Sequence, residues 1–146
     1  MKILPLTALR SAGKAKETET RSVDERAVKI KEDLLGPDHP ATAKSLHNLV
    51  WVLHDNADYS GAEELNDRAL AIRESVLGPE HPDTAMSLIT LCCVLRHTGE
   101  MERARAACER GVAIQEEVLD PADPELAAGL YTLGAVLLEA SGPAEG

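Results

Sequence analysis

His39 and His81 stand in two nearly identical stretches, Leu35-Gly36-Pro37-Asp38-His39-Pro40-Ala41-Thr42 and Leu77-Gly78-Pro79-Glu80-His81-Pro82-Asp83-Thr84. With Asp38, Glu80 and Asp83 beside them, two imidazoles brought close could bridge a metal ion, which needs several such donors converging on one point. The duplication itself accounts for the histidines more simply, as hydrogen-bond partners that lock each loop. Cys92, Cys93 and Cys108 are odd in number and lack metal-type spacing, which suits a reducing compartment. On a helix the adjacent pair points about 100° apart, so Cys92 reads as a core thiol that could touch Cys108, and Cys93 as the one to probe for reactivity. Catalysis would need a base, a group to orient it and a charge-stabilising site in one place. No such set is present, so no catalytic, metal or cofactor residue is assigned and the chain is read as a non-enzyme.

The remaining chemistry is recognition. Only three aromatic residues occur, Trp51, Tyr59 and Tyr131. Two of them fall on a helical stripe about 120° round from the apolar one. In one copy that stripe is Lys44, His47, Trp51 and His54. In the next it is Met86, Ile89, Cys93 and Arg96, and in the last Ala128, Tyr131, Ala135 and Leu138. Trp, Tyr and Arg are the residues that most often anchor interfaces. Lys44, Arg96 and the titratable His47, His54 and His97 make this stripe locally neutral to basic on an acidic protein.

These residues are positioned by an internal repeat. The Leu-Gly-Pro loop recurs at an offset of 42 residues, and a third, worn copy follows at Leu119-Asp120-Pro121-Ala122-Asp123-Pro124. Ala62, Ala69, Ile72 and Glu74 map onto Ala104, Gly111, Ile114 and Glu116, and Ala27, Val28, Ile30, Glu32 and Leu35 fit the end of an earlier copy. Each unit reads as two antiparallel helices. Leu46, Leu49, Val50 and Leu53 follow the amphipathic spacing. Leu88, Leu91, Cys92 and Leu95 repeat it, and so do Leu130, Leu133, Gly134 and Leu137. The second helix carries Ala62, Leu65, Ala69, Ile72 and Val76, then Ala104, Ala107, Gly111, Ile114 and Val118. Gly36 and Gly78 suit the left-handed position after a helix end, and Pro40, Pro82 and Pro124 the first turn of the next. The spacing predicts helices near 18–35, 40–56, 60–77, 82–98, 102–119 and 124–140. Residues 18–140 form one domain: a half repeat 18–39, full repeats 40–81 and 82–123, and a half repeat 124–140. A poorly defined leading segment 1–17 precedes it and a tail 141–146 follows.

Composition narrows the partners. At 146 residues and 44% apolar the chain can bury a core, but with 2% aromatic residues it must do so by close helix packing. A net charge of −10 disfavours nucleic acid and anionic lipid. No apolar run approaches the length of a membrane span, and the opening lacks a secretory cleavage site. Its basic, acid-poor start fits a frayed leading element better than an organelle transit peptide, so the expected location is the cytoplasm.

Leu130-x2-Leu133-Gly134-x2-Leu137, the looser Leu46-x2-Leu49-Val50-x2-Leu53, and the alanines Ala62 and Ala104 resemble the tetratricopeptide repeat signature, whose usual period is about 34. Cys108 stands where that signature has an aromatic residue. The longer period and the duplicated loop resemble the kinesin-light-chain-like variety. The resemblance implies an all-α, right-handed α-α superhelix of antiparallel helix pairs, a solenoid without catalysis, whose first helices line a concave groove. It therefore places Lys44, His47, Asn48, Trp51, His54, Met86, Ile89, Cys93, Arg96, Tyr131 and Leu138 in a groove that binds a peptide or partner protein. The local charge favours an acidic peptide with an apolar anchor. Family grooves of this variety carry two neighbouring Asn; here Asn48 stands beside His47, and the next copy has Ile89-Thr90. A second reading is a self-associating scaffold fragment. The last helix, Leu126 to Ala140, has almost no polar face, so a homo-oligomer through that helix would cover it.

Overall fold

The computed structural model describes residues 6–142, with side chains described from Thr18 onward. Six helices follow one another: α1 (Leu6–Leu35), α2 (Pro40–Asp55), α3 (Tyr59–Val76), α4 (Pro82–Thr98), α5 (Met101–Val118) and α6 (Pro124–Ala140). No strand occurs among the described residues. The architecture is the all-α solenoid expected from the repeat: each helix packs on its neighbours in chain order, with α2–α3 and α4–α5 as hairpins and α6 also touching α4. None of the described helices is long and apolar enough to cross a membrane.

The loops explain why the helices start where they do. His39 and His81 each accept, through Nδ1, a hydrogen bond from the backbone N–H two residues on, at 3.0 Å. Both are N-caps with extended backbone followed by proline. The histidines thus lock their loops, as the duplication suggested, and no cluster of His, Cys, Asp and Glu among the described residues could hold a metal. Asp123 caps α6 in the same way. Thr42 and Thr84 reach back to the carbonyls of Gly36 and Gly78 (2.9 and 2.8 Å), which turn at φ 97° and 103°. Between the two helices of a hairpin, Gly99 turns at φ 83°, and the equivalent Ala57 takes φ 60° despite its Cβ.

The core is a string of small clusters. Val28, Ala43, Leu46, Leu49, Ala69 and Ile72 form the first. Val50, Leu53 and Ala62 meet Val94 of the following hairpin in another. Cys92, Leu95, Ala104, Ala107 and Cys108 meet Val136 in a third. Alanines, a glycine and a thiol in place of rings let the backbones come close, so density is reached without large side chains. A polar seam joins α3 to α4: Asn66 Nδ2 donates to the Ser87 carbonyl (2.9 Å) and Arg73 Nη1 to Ser87 Oγ (2.8 Å). At the equivalent places between α5 and α6 stand Cys108, Gln115 and Gly129. There a thiol contact of 3.9 Å from Cys108 to the Gly129 carbonyl takes the amide's place.

Three expectations need correction. Helix α1 begins at Leu6 rather than near residue 18, because the repeat register sets where a second helix must start but nothing in 6–17 stops a helix. Residues 1–5 of the leading segment and 143–146 of the tail lie outside the described residues. The α6 stripe assigned to the core is also mostly exposed: Leu130 and Leu137 face outward, and Leu126, Gly129, Thr132 and Val136 are buried instead. The buried face of α6 is the one turned to the preceding hairpin, whereas the signature stripe would pack on a second helix of its own. Val76 and Val118, expected on the packed stripe, are exposed at the last turns of α3 and α5.

Candidate recognition groove

The first helices α2, α4 and α6 lie side by side and form a trough with two adjoining recesses that share His47 and Met86. The smaller, of about 150 Å³, is lined by Trp51, Met86, Ile89 and Ala128, with His47, Thr90, Gln115 and Glu125 at its edges. The larger, of about 530 Å³, is the more polar of the two and holds Lys44, His47, Asn48, Arg73 and Asp83 between Pro40, Ala41 and Met86.

His47 joins the two. Its Nε2 accepts a hydrogen bond from Trp51 Nε1 (3.2 Å), one helical turn on. That bond leaves the proton of a neutral ring on Nδ1, a donor buried without a partner among the described residues. Burial, reinforced by the nearby Arg73 and opposed by Asp83, lowers the His47 pKa from 6.5 to about 4, so the ring is neutral at physiological pH. Gln115 Oε1, edging the same recess, is a buried acceptor that is likewise unpaired. The apolar recess is therefore flanked by one unspent donor and one unspent acceptor.

Arg73 supplies the charge of the polar recess. Its guanidinium is buried, donates to Ser87 Oγ, and lies 3.4 Å from the Asp83 carbonyl. Burial pulls its pKa down and Asp83 opposes that, yet a guanidinium stays charged at neutral pH. Lys44 is exposed at the rim and has no ion pair among the described residues. Asp83 partly offsets the two cations.

Of the residues expected in the groove, the structure brings Lys44, His47, Asn48, Trp51, Met86 and Ile89 together. The others stand apart, for identifiable reasons. His54 is packed in a ring cluster, with centroids 5.2 Å from Trp51, 5.4 Å from Tyr59 and 4.8 Å from His97. Tyr59 and His97 stack in parallel at 5.1 Å. Burial, the neighbouring His54 and Arg96 together lower the His97 pKa. Arg96 is not a free groove cation, because its Nε donates to Glu139 Oε1 of α6 at 2.9 Å. Cys93 is half-buried, and burial pushes its thiol pKa up, so it is a poorer nucleophile than an ordinary cysteine. Cys92 shares a hydrogen bond with Cys108; that bond, then burial, raises its pKa, and no disulfide joins the two. Tyr131 is 80% exposed and Leu138 75%, beyond either recess.

The stripe alone missed Arg73 and Gln115, which belong to second helices. The available signal was their register: they occupy the same place in successive repeats, as polar residues directly after the buried Ile72 and Ile114.

Residues 42–83 and 84–125 each match the family model described as Tetratricopeptide repeat. The chain belongs to the tetratricopeptide repeat family. Among solved structures, this tetratricopeptide repeat protein is similar to the nearly identical TPR-like repeats of a putative kinesin light chain from Podosopora anserina. That likeness has a TM-score of 0.76 at 27% identity and covers 89% of this chain and 62% of that one. A variant of the same repeats gives 0.78 at 26% identity, covering 90% and 62%. BtubC from P. vanneervenii shares the fold, with a TM-score of 0.79 at 22% identity over 87% of this chain and 51% of that one. The tetratricopeptide repeat chain thus spans less than two thirds of the length of each. No curated protein matches it in sequence.

Proposed function

We propose that this tetratricopeptide repeat protein binds an extended segment of a partner protein in the trough between α2, α4 and α6. The observation that carries this reading is the pair of unspent groups, His47 Nδ1 and Gln115 Oε1, beside an apolar recess. A buried donor or acceptor without a partner costs about 1–3 kcal/mol. A peptide backbone offers a carbonyl for the first and an N–H for the second, while one apolar side chain fills the space between Trp51, Met86 and Ile89. Lys44 and Arg73 next door favour a carboxylate on the neighbouring residue of the segment, which makes the preferred ligand acidic. The charge selecting it is Lys44 with Arg73 rather than Arg96. Asn48, at the rim of the polar recess, is placed to bond the ligand backbone.

Trp51 is the chain's single tryptophan and lines the recess, so its emission reports occupancy directly. Peptides selected by display on the purified protein are expected to carry an apolar residue flanked by Asp or Glu and to shift that emission. Ile89→Asp is expected to weaken them at least ~10-fold, and Lys44→Glu ~3–10-fold with the loss shrinking at high salt. Selected peptides whose affinity both substitutions leave unchanged would place the binding surface elsewhere.

A further inference from the structure

Arg73 carries the one buried guanidinium among the described residues, and no carboxylate pairs with it there. It is 4% exposed. Every other arginine from Arg68 to Arg110 holds a glutamate at 2.7–2.9 Å or closer. Arg73 instead bonds to Ser87 Oγ and approaches the Asp83 carbonyl, two neutral oxygens that both meet Nη1, so neither contact uses Nε or Nη2. A buried ion is costly unless an opposite charge reaches it. The solenoid does not require this one, because a neutral amide, Gln115, stands in the same place of the next copy and is buried there too.

That charge borders the larger recess of the trough, together with Lys44 and Asn48 of α2. Lys44 and Asn48 are exposed, and neither side chain has an ion pair or hydrogen bond among the described residues. In the next copy Met86 and Thr90 replace them, so this donor set belongs to the recess and is no general feature of the repeat. Pro40 and Asp83, in the first turns of α2 and α4, line the same space, which therefore lies at the positive ends of two helix dipoles. Asp83 is the one carboxylate in the lining among the described residues. Two cations thus face one anion, on a protein of net charge −10.

We infer that this recess is a phosphate site, filled by a phosphorylated serine or threonine beside the apolar anchor of the segment bound in the trough. The inference rests on the trough reading above and names what the polar recess prefers. A carboxylate brings two oxygens to donors on three side chains and two helices. A phosphoryl group brings three strong acceptor oxygens and a charge of about −1.5 to −2, so it can meet Arg73, Lys44 and Asn48 together. A guanidinium also pairs with phosphate through two parallel bonds, which the Nε and Nη2 edge of Arg73 is suited to supply. Phosphorylation of the partner would then strengthen its docking.

Degenerate peptides built round a leucine, with phosphoserine, glutamate or serine fixed next to it, test this against the 146-residue chain through Trp51 emission. The phosphoserine form is expected to bind ~10-fold more tightly than the glutamate form, with the gain shrinking at high salt. Arg73→Gln, which copies the residue of the next repeat, and Lys44→Ala at the exposed rim should each cut the phosphoserine-to-serine affinity ratio at least ~3-fold. Circular dichroism checks that both remain helical. Ile89→Asp should weaken all three forms and leave that ratio standing. Serine and glutamate forms that bind as tightly as phosphoserine, or a phosphoserine preference that survives Lys44→Ala, would overturn the phosphate site and leave the trough intact. Failure of every form to shift Trp51 emission would overturn the trough itself, and this site with it.

Discussion

At the scale of single residues, His47 holds the groove together and makes it sensitive to acid. The unfolded chain takes up this proton near pH 6.5 and the folded chain only near about 4. Acidification across that window therefore favours the unfolded form, and the contribution is fully present only above pH 6.5. Allowing for partial solvation, the loss should be about 1–2 kcal/mol. Chemical denaturation of wild type and His47→Gln between pH 7.5 and 4.5 should show a wild-type decline that is shallower by that amount in the variant. Gly129 offers a second check. A Cβ there would lie 2.2 Å from Gln115 Oε1, the tip of a side chain that borders the recess, so Gly129→Ala should lose much of the roughly 1 kcal/mol that an alanine gains over glycine inside a helix. Gln115→Ala in the same chain should recover most of it, and a double-mutant cycle of thermal melts would measure the coupling. Neither residue could be placed by its own identity, because a histidine on a helix reads as a cation until its burial and its Trp51 partner are known.

At the scale of elements, the helix boundaries were readable because their chemistry is local: a capping histidine, a proline in the first turn and a left-handed glycine need no tertiary contact to act. His39→Ala and His81→Ala are each expected to cost about 1 kcal/mol, the usual value of an N-cap, and to add when combined, since their loops share no partner. Ala57 is the local irregularity. It takes the left-handed turn at φ 60° that Gly99 makes in the sister hairpin, so Ala57→Gly should stabilise the protein by about 1 kcal/mol and raise Tm by several degrees. What resists local reading is where an element stops mattering. The signature stripe of α6 is apolar in sequence, yet Leu130 and Leu137 are exposed because burial depends on a neighbouring helix that a periodicity cannot supply. The 6–17 extension of α1 escaped for a related reason, since the repeat says where a second helix must begin and is silent on how far back it can continue.

For the whole molecule, the repeat made the helix order and the solenoid class readable, while the groove was readable only in part. Lys44, His47, Asn48, Trp51, Met86 and Ile89 converge because they share one face of adjacent first helices. Arg96 does not act as a free cation, because a carboxylate 43 residues away in α6 meets it, and no pattern within one helix carries that pairing. The two seams between successive units are built differently, with consequences for how the array opens. The α3–α4 seam is wired by an amide and a guanidinium, and the α5–α6 seam has the Cys108 thiol and Gln115 in those places, facing Gly129 where the other seam has Ser87. Hydrogen bonds of the first kind contribute about 0.5–1.5 kcal/mol each, more when charged, so the protein should fray directionally, from the back towards the front. Amide protons of α6 should exchange with deuterium at least ~10-fold faster than those of α4, and Cys108→Asn, by offering the missing amide to the Gly129 carbonyl, should narrow that gap.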